Sequence, residues 1–155
     1  MNILITGHEG FFGNALIGRL NHSDNFIVGL DQDLNLKNEL VNEPNVVTRG
    51  DVSNYDLLRR LIADYEIDEI YHLASKAIVK TTASDPYTTY QTNIMGTVSL
   101  LEACKNSGQQ VKSIVISTSD KAFGESKVPY KEDSPLEPLY PYDTSKACQQ
   151  LISLS

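Results

Sequence analysis

The stretch that decides the fold is Asn2-Ile3-Leu4-Ile5-Thr6-Gly7-His8-Glu9-Gly10-Phe11-Phe12-Gly13. Its first five residues are mostly apolar and predict a buried strand, and apolar side chains then recur at helical spacing from Ala15 to Leu20. A strand, a glycine-rich turn and a helix start together form the phosphate-binding unit of dinucleotide-binding folds. The sequence therefore predicts that a diphosphate is held at the start of this helix.

Each glycine of this turn has its own predicted task. Gly7 allows the tight turn, Gly10 lets the backbone approach a pyrophosphate, and Gly13 lets the helix pack closely on the strand. The spacing is Gly-x-x-Gly-x-x-Gly, which is one residue longer at its front than in many dehydrogenases. An ordinary turn could contain the same glycines, so the interpretation depends on their position directly after an apolar strand.

The composition is that of an ordinary globular chain with an acidic balance. The 155 residues are 41% hydrophobic and 21% charged, and the formal net charge is −7. We expect one domain over residues 1–155 with a sizeable core. The acidic balance argues against a nucleic-acid partner, because binding a phosphate backbone needs a basic surface. No apolar run reaches the length of a membrane helix, so we expect no membrane partner.

Cysteines and histidines are few and scattered. Cys104 and Cys148 form no Cys-x-x-Cys pair, and two reduced thiols are typical of a cytoplasmic protein. The first strand begins so early that we expect no signal peptide, which also favours the cytoplasm. The histidines are too dispersed to predict a metal site, so we expect none.

Apolar strands alternate with amphipathic helices along the chain. Strands are predicted at 2–6, 26–30, 46–49, 68–73 and 111–118. This alternation predicts an α/β fold with a Rossmann-type, doubly wound parallel sheet and helices on both faces. A sixth strand would follow in the complete fold. We therefore expect an N-terminal fragment of a longer enzyme, truncated before the last strands and the substrate domain.

Local signals set the predicted helix ends. Ser53 is predicted to cap one helix, and Asp85-Pro86 to cap and open another that runs to Asn106. The inward face of this long helix is predicted to comprise Tyr90, Ile94, Val98 and Leu101. The fifth strand is predicted to be covered on both faces because its middle is almost wholly apolar. Residues 33–41 are predicted to be helical or irregular.

Two strand ends carry carboxylates suited to an adenosine. Asp31 ends the second strand 18 residues after Gly13. A carboxylate there accepts both ribose hydroxyls and repels a 2′-phosphate, so it predicts NAD over NADP. Gln32, in place of an arginine, favours the same choice. Asp51 and Val52 follow the third strand, where an adenine edge would lie, although both aspartates are also common turn or helix-start residues.

Tyr142 and Lys146 are four residues apart in the predicted last helix and so lie on one face. An ammonium beside a phenol favours the phenolate and lowers its pKa from about 10. Such a phenol can act as general base on a sugar hydroxyl while hydride leaves for a nicotinamide. The spacing also occurs by chance, so its weight comes from the glycine turn and from the hydroxyl-rich strand end at Ser117–Ser119.

These motifs make the chain resemble the extended short-chain dehydrogenase/reductases that act on nucleotide sugars, the NAD-dependent epimerase/dehydratase family. The resemblance rests on the glycine turn, Asp31, Asp51-Val52, His72-Leu73-Ala74, Asn93-Ile94-Met95-Gly96-Thr97, Ser119, Tyr142 and Lys146. It implies that Ser119 helps hold the reacting oxygen, Tyr142 is the base, and Lys146 binds ribose and tunes the tyrosine. The predicted NAD-binding residues are Gly7, Gly10, Phe11, Phe12, Gly13, Asp31, Asp51, Val52, Leu73, Ala74, Ser75, Asn93, Tyr142 and Lys146.

The residues after Ser119 favour one branch of the family. Asp120-Lys121 stands where the epimerases usually carry small uncharged residues, and the pattern is most similar to the CDP-glucose 4,6-dehydratase branch. That branch oxidises C4, eliminates water across C5–C6 and re-reduces the product. Asp120 would protonate the leaving hydroxyl, and Lys121, if neutral, would take the C5 proton. A solvated surface pair, a 4-epimerase and a non-catalytic NAD-binding module are the alternatives.

Some features depart from the family or follow from its length. Phe123 stands where relatives often carry tyrosine, and 136–141 lacks the glycine-rich approach to the catalytic tyrosine. Because the family's substrate domain is missing, we expect the chain alone to bind NAD weakly and to be inactive. The implied substrate is a nucleotide-diphosphate sugar. The implied assembly is a homodimer, formed through an uncovered edge at Ile114-Val115-Ile116 or through the two long helices.

Overall fold

The structure is a computed structural model that describes residues 1–21, 24–33, 42–125 and 128–155. Most of the piece predicted as helical or irregular at 33–41 therefore lies outside the described residues. The strands are β1 (Asn2–Thr6), β2 (Phe26–Asp31), β3 (Val46–Arg49), β4 (Glu69–His72) and β5 (Ser113–Ile116). The helices are α1 (Phe11–Leu20), α2 (Tyr55–Asp64), α3 (Val79–Ser84), α4 (Pro86–Tyr90), α5 (Gly96–Asn106) and α6 (Pro141–Ser153). Within these ranges no helix has both the length and the apolarity needed to cross a bilayer.

The five strands form one parallel sheet in the order β3-β2-β1-β4-β5. In β1, Ile5 is paired with Gly29 of β2 on one side and with Tyr71 of β4 on the other. The order reverses between β1 and β4, and ligands of doubly wound sheets bind at the carboxyl ends of strands next to such a reversal. The predicted Rossmann-type architecture is confirmed.

The alternating side chains of β1 fill two cores. Leu4 faces one core together with residues of α2 and α5, such as Leu58 and Leu100. Ile3 and Ile5 face the opposite core, where α1 packs through its own apolar residues. Both faces of the central strand are therefore covered by helices, which explains why β1 is a nearly continuous apolar run.

The prediction for the fifth strand was wrong in length and in burial. Strand β5 contains four residues instead of eight, and it lies at an edge of the sheet with Val115 47% exposed. The apolar composition of β5 resembles that of a central strand, but among the described residues β5 pairs with β4 alone. The predicted uncovered edge at Ile114-Val115-Ile116 is the edge that the described residues form.

The long helix predicted after Asp85-Pro86 is present but interrupted. Helices α4 and α5 are joined by a π-helical turn at Gln91–Met95, and the extra residue in that turn rotates the helix. The fully buried positions include Thr89, Asn93, Thr97 and Leu100, while the predicted inward residues are only half-buried. The inward face was therefore predicted one residue out of register.

Two helix starts can be compared with their predicted caps. Asp85 caps α4 as predicted, since its carboxylate accepts the Thr88 backbone N–H. The predicted cap of α2 at Ser53 was wrong by one residue, because Asn54 accepts the Leu57 N–H at 3.0 Å. The Ser53 N–H is instead bound by Asp51 Oδ1 at 2.8 Å.

Candidate active site

The glycine turn is packed tightly between its neighbours. Gly7 has a φ of +73°, and a Cβ added there would lie 2.7 Å from the backbone nitrogen of Ala74. At Gly13 the added Cβ would lie 2.3 Å from the Gly7 carbonyl oxygen and 2.6 Å from the Cα of His8. Both contacts are with backbone, which cannot swing aside. The turn therefore takes glycine at these two positions for steric reasons.

The first turn of α1 opens toward the same place. Gly10 precedes the helix with extended backbone, and no side chain caps the free N–H groups there. Phe11 and Phe12 lie in this first turn, but their rings are 86% and 74% exposed. Any contact of these two predicted residues with a diphosphate would therefore use their backbone N–H groups instead of their rings.

A cleft of about 490 Å³ lies over this turn at the carboxyl ends of the strands. Eight of the predicted cofactor residues line it: Gly7, Gly10, Asp31, Asp51, Val52, Leu73, Ala74 and Ser75. They come from four separate loops, so the topology brings together what the sequence spreads over sixty-odd positions. This cleft has the place and the lining expected for an extended dinucleotide.

Asp31 is held in one orientation by the backbone. Its Oδ2 accepts the N–H of Glu9 in the glycine turn at 3.0 Å, and its Oδ1 accepts the N–H of Gln32 at 2.8 Å. The carboxylate thus ties the glycine turn to the end of β2. Each carboxylate oxygen can accept further hydrogen bonds, so the group can still bind a ribose diol.

Asn93 joins the wall of the cleft to α6. Its side chain is fully buried and does not line the cleft. Its Oδ1 accepts the Lys76 N–H at 2.8 Å and the Ser75 hydroxyl at 3.2 Å, while its Nδ2 donates to the Ser145 hydroxyl at 2.9 Å. Asn93 therefore supports the loop after β4 instead of lining the cleft, and a contact with the cofactor stays a prediction.

Tyr142 and Lys146 occupy the same face of α6. The Lys146 ammonium nitrogen lies 5.8 Å from the centroid of the Tyr142 ring and donates to the Ser117 carbonyl at 2.8 Å. Ser117 directly follows β5, so the pair lies at the carboxyl end of the sheet. Burial lowers the pKa of Lys146 to about 8. The two side chains thus lie on one helix face, as their spacing predicts, and their catalytic roles stay a prediction.

Ser119, Asp120 and Lys121 lie at the start of a short 3₁₀ turn after β5. The Ser119 hydroxyl donates to Asp120 Oδ1 at 3.1 Å and accepts the Lys121 N–H at 3.2 Å. Ser119 and Asp120 line a second, more open cavity of about 620 Å³ together with Tyr130 and Gln150. The structure therefore separates these predicted catalytic residues from the cleft over the glycine turn.

Sequence reasoning missed several residues that line the cleft. They are Asp33, Lys76, Thr81, Thr88 and Thr92, among others. The threonines carry no signal, because a threonine on a helix near a cleft looks like any other surface threonine. Lys76 could have been found, since it directly follows Leu73-Ala74-Ser75 at the end of a predicted strand.

A parallel sheet in this order, with a glycine turn at its reversal point, defines a dinucleotide-binding α/β protein. The family model described as GDP-mannose 4,6 dehydratase matches residues 4–155 of the chain. The chain therefore belongs to the extended short-chain dehydrogenase/reductases that comprise the nucleotide-sugar epimerases and dehydratases. The predicted family is confirmed.

Individual relatives cover both branches of this family. A CDP-glucose 4,6-dehydratase of Salmonella typhimurium is 32% identical over 97% of this chain and 44% of its own length. A UDP-glucose 4-epimerase of Neisseria meningitidis is 34% identical over 97% of this chain and 47% of its own. The solved UDP-glucose 4-epimerase of Thermus thermophilus in complex with NAD superimposes with a TM-score of 0.86, at 29% identity over 99% of this chain and 50% of that one. The chain thus spans about half the length of the relatives it matches.

Proposed function

We propose that this chain is the NAD-binding part, residues 1–155, of a nucleotide-sugar 4,6-dehydratase. The observation that carries the proposal is the Tyr142–Lys146 pair, held at the carboxyl end of the sheet, the end at which the cleft over the glycine turn also lies. The choice of a dehydratase over a 4-epimerase rests on Asp120 and Lys121 after Ser119. The half-length match supports the proposal that a further part of the protein completes the substrate site.

The cleft fits NAD on steric and electrostatic grounds. Gly10 lines the cleft without a Cβ directly before the helix N-terminus, whose partial positive charge suits an anion. The oriented Asp31 carboxylate accepts hydroxyls and repels a 2′-phosphate, which favours NAD over NADP. When bound, NAD takes a hydride from the sugar and later returns it.

The residues of α6 perform the proton transfer that accompanies oxidation at C4. The Lys146 ammonium stabilises the Tyr142 phenolate, which accepts the C4 hydroxyl proton as the C4 hydrogen leaves as hydride. Ser119 hydrogen-bonds the same oxygen. The Ser117 carbonyl holds Lys146 by one of its three N–H donors, so the others remain for the ribose and the phenol.

Elimination of water requires an acid and a base beside C5 and C6. Once C4 is a ketone, the C5 proton is acidic, and Lys121 is the proposed base that removes it. Asp120 donates a proton to the C6 hydroxyl, which leaves as water. The hydride then returns to C6 and a proton to C5, which gives a 4-keto-6-deoxy sugar. Both side chains are exposed in this part of the protein, where a substrate can reach them.

The proposed reaction is tested with the full-length protein, NAD and a panel of nucleotide hexoses. We expect a 4-keto-6-deoxy product from one of them, and an Asp120→Asn variant that still oxidises C4 but eliminates water about 100-fold more slowly. Glu125→Gln is the matched control, because it removes a nearby exposed carboxylate outside the proposed site. A 4-epimer formed without loss of water would overturn the dehydratase choice in favour of the epimerase.

The proposal extends to assembly and location. We expect the protein to be a cytoplasmic homodimer, and the 155-residue chain to self-associate through the β5 edge or through α5 and α6. Light scattering measures this directly. A Val115→Lys substitution places a charge on the exposed edge and should release monomers if the edge is the contact. A clean monomer of the unmodified chain at high concentration would contradict the expectation.

A further inference from the structure

Four polar side chains form a continuous hydrogen-bonded path through the interior from β1 to α6. They are Thr6, His72, Thr97 and Gln149, none of which exposes more than 1% of its surface. The Thr6 hydroxyl lies 2.8 Å from His72 Nδ1, and His72 Nε2 lies 3.2 Å from the Thr97 hydroxyl. Gln149 Nε2 donates to the same Thr97 oxygen at 2.8 Å. The path therefore joins the strand before the glycine turn to the helix that carries Tyr142.

The hydrogen bonds fix the tautomer of His72. Thr97 has one hydroxyl proton, which it donates to the Asn93 carbonyl at 2.8 Å. Its oxygen must then accept from His72, so the ring proton is on Nε2. Nδ1 is left bare and accepts the Thr6 hydroxyl proton, while the Thr6 oxygen accepts the Ala74 N–H at 3.3 Å. The donors of Thr6 and His72 thus point toward Thr97, and the Gln149 amide donates to the same Thr97 oxygen from the side of α6.

His72 carries no charge in this arrangement. Burial, followed by the charge of Lys146, lowers its pKa to about 4. A protonated ring would also place a second donor at Nδ1, opposite the Thr6 hydroxyl. Lys146 is the charged group that acts on His72 from α6. The path therefore does not titrate near neutral pH, and its hydrogen bonds stay the same while the catalytic pair acts.

Gln149 is a poor choice if stability alone matters at its position. Its Oε1 is buried, and the described part of the chain offers it no hydrogen-bond partner. An unmet buried acceptor costs stability, whereas leucine or methionine would fill a similar volume without that cost. Compared with leucine or methionine, the glutamine amide adds one hydrogen bond, from its Nε2 to the Thr97 hydroxyl. Gln149 lies one turn beyond Lys146 and two turns beyond Tyr142, on the same face of α6.

We propose that the Thr6–His72–Thr97–Gln149 path is a positioning element that fixes the rotation of α6 on the sheet and thereby the approach of Tyr142 and Lys146 to the cofactor. This inference rests on the proposed function, because it concerns the same catalytic pair. None of the four residues touches the reacting atoms. They act on the catalytic pair from a distance, by holding α6 in place through a hydrogen-bonded network that stays uncharged.

The test compares two buried hydroxyls of α5 in the full-length protein. Thr97→Val removes the hydroxyl that both His72 and Gln149 use, and Thr97→Ser restores it. Ser99→Ala is the matched control, because the Ser99 hydroxyl is also buried on α5 but donates to the Ser53 carbonyl at 3.0 Å, on the side of α2. Turnover is measured against pH for each variant. In parallel, ¹⁵N-histidine NMR identifies His72 as the signals absent from a His72→Gln variant.

Thr97→Val is expected to lower turnover by about 10- to 100-fold, because small displacements of catalytic groups have effects of that size. Its acid limb should also move, because the Lys146 ammonium is displaced from its place beside the Tyr142 ring. Thr97→Ser should restore both values, and Ser99→Ala should change neither. In the unmodified protein, NMR should show a neutral His72 protonated on Nε2, unchanged between pH 5 and 8.

Equal losses of turnover in the Thr97→Val and Ser99→Ala variants would overturn the inference. A His72 side chain that titrates near neutral pH would overturn it as well. If Thr97→Val does not fold, Gln149→Met, which removes the amide donor and keeps the length, must give the same shift of the acid limb. Wild-type protein that turns over no nucleotide sugar would instead remove the proposed function, and the positioning role with it. The two failures are therefore distinguishable.

Discussion

Replacing Tyr142 with phenylalanine is expected to lower turnover about 1,000-fold, the size of effect associated with losing a general base. The ring and its packing stay in place, while the hydroxyl that accepts the C4 proton is lost. NAD affinity should change by less than about threefold, since most of the proposed cofactor contacts come from the cleft over the glycine turn. Single-turnover reduction of NAD by the nucleotide sugar, together with an NAD titration, measures both quantities.

Tyr140→Phe is the matched control for this substitution. Tyr140 lies two residues earlier, 58% exposed, and its backbone N–H rather than its hydroxyl contacts Asp143 at the start of α6. Its loss should leave turnover unchanged. A Tyr142→Phe variant as active as the Tyr140→Phe variant would show that the phenol is not the base, whatever its distance from Lys146.

The role of Tyr142 also predicts how the unmodified protein depends on pH. Below a pKa of about 8 Lys146 carries its charge and favours the phenolate, and above that pH the support is progressively lost. The ammonium therefore assists the tyrosine most at neutral pH. Tyr142→Phe should remove this dependence along with the activity, because nothing remains for the charge to act on.

Local chemistry explains which parts of the fold could be predicted from the sequence. The first strand, the close packing of Gly13 within its own turn and the cap at Asp85 depend on neighbours within a few residues, and each was predicted correctly. The pairing of Tyr142 with Lys146 follows from one turn of helix. In each case the physical cause lies inside the segment, so the segment is enough to reveal it.

Features that depend on distant partners were predicted less well. Asn93 and Thr97 are buried although polar, because their hydrogen bonds reach Lys76 and Gln149 across the fold. Because the inward face was predicted from apolar residues, the neighbouring Ile94 and Val98 were predicted to face inward instead. Strand β5 has an interior composition but an edge position, and only the strand order decides that. The path from Thr6 to Gln149 spans most of the chain and leaves no periodic signal.

The glycine turn offers the second large effect. Gly13→Ala is expected to destabilise the protein by roughly 3 kcal/mol, because its Cβ would press into the Gly7 carbonyl and the His8 backbone. The melting temperature should fall by roughly 10 °C. NAD affinity should fall at least about tenfold, since α1 must move away from the turn whose N–H groups face the diphosphate. Thermal unfolding and an NAD titration measure the two losses.

Gly10→Ala separates the steric argument from a general intolerance of the turn to substitution. Gly10 has an ordinary φ of −68°, and the nearest atom to its added Cβ is the Gly7 carbonyl oxygen at 3.2 Å, a tight but tolerable contact. Its stability should fall by less than about 1 kcal/mol. NAD binding should still weaken, because Gly10 lines the cleft in which the diphosphate is proposed to lie. Equal losses of stability in Gly13→Ala and Gly10→Ala would contradict the packing derived for Gly13. A stable Gly10→Ala variant with weakened NAD binding would show that Gly13 serves helix packing and Gly10 serves the ligand.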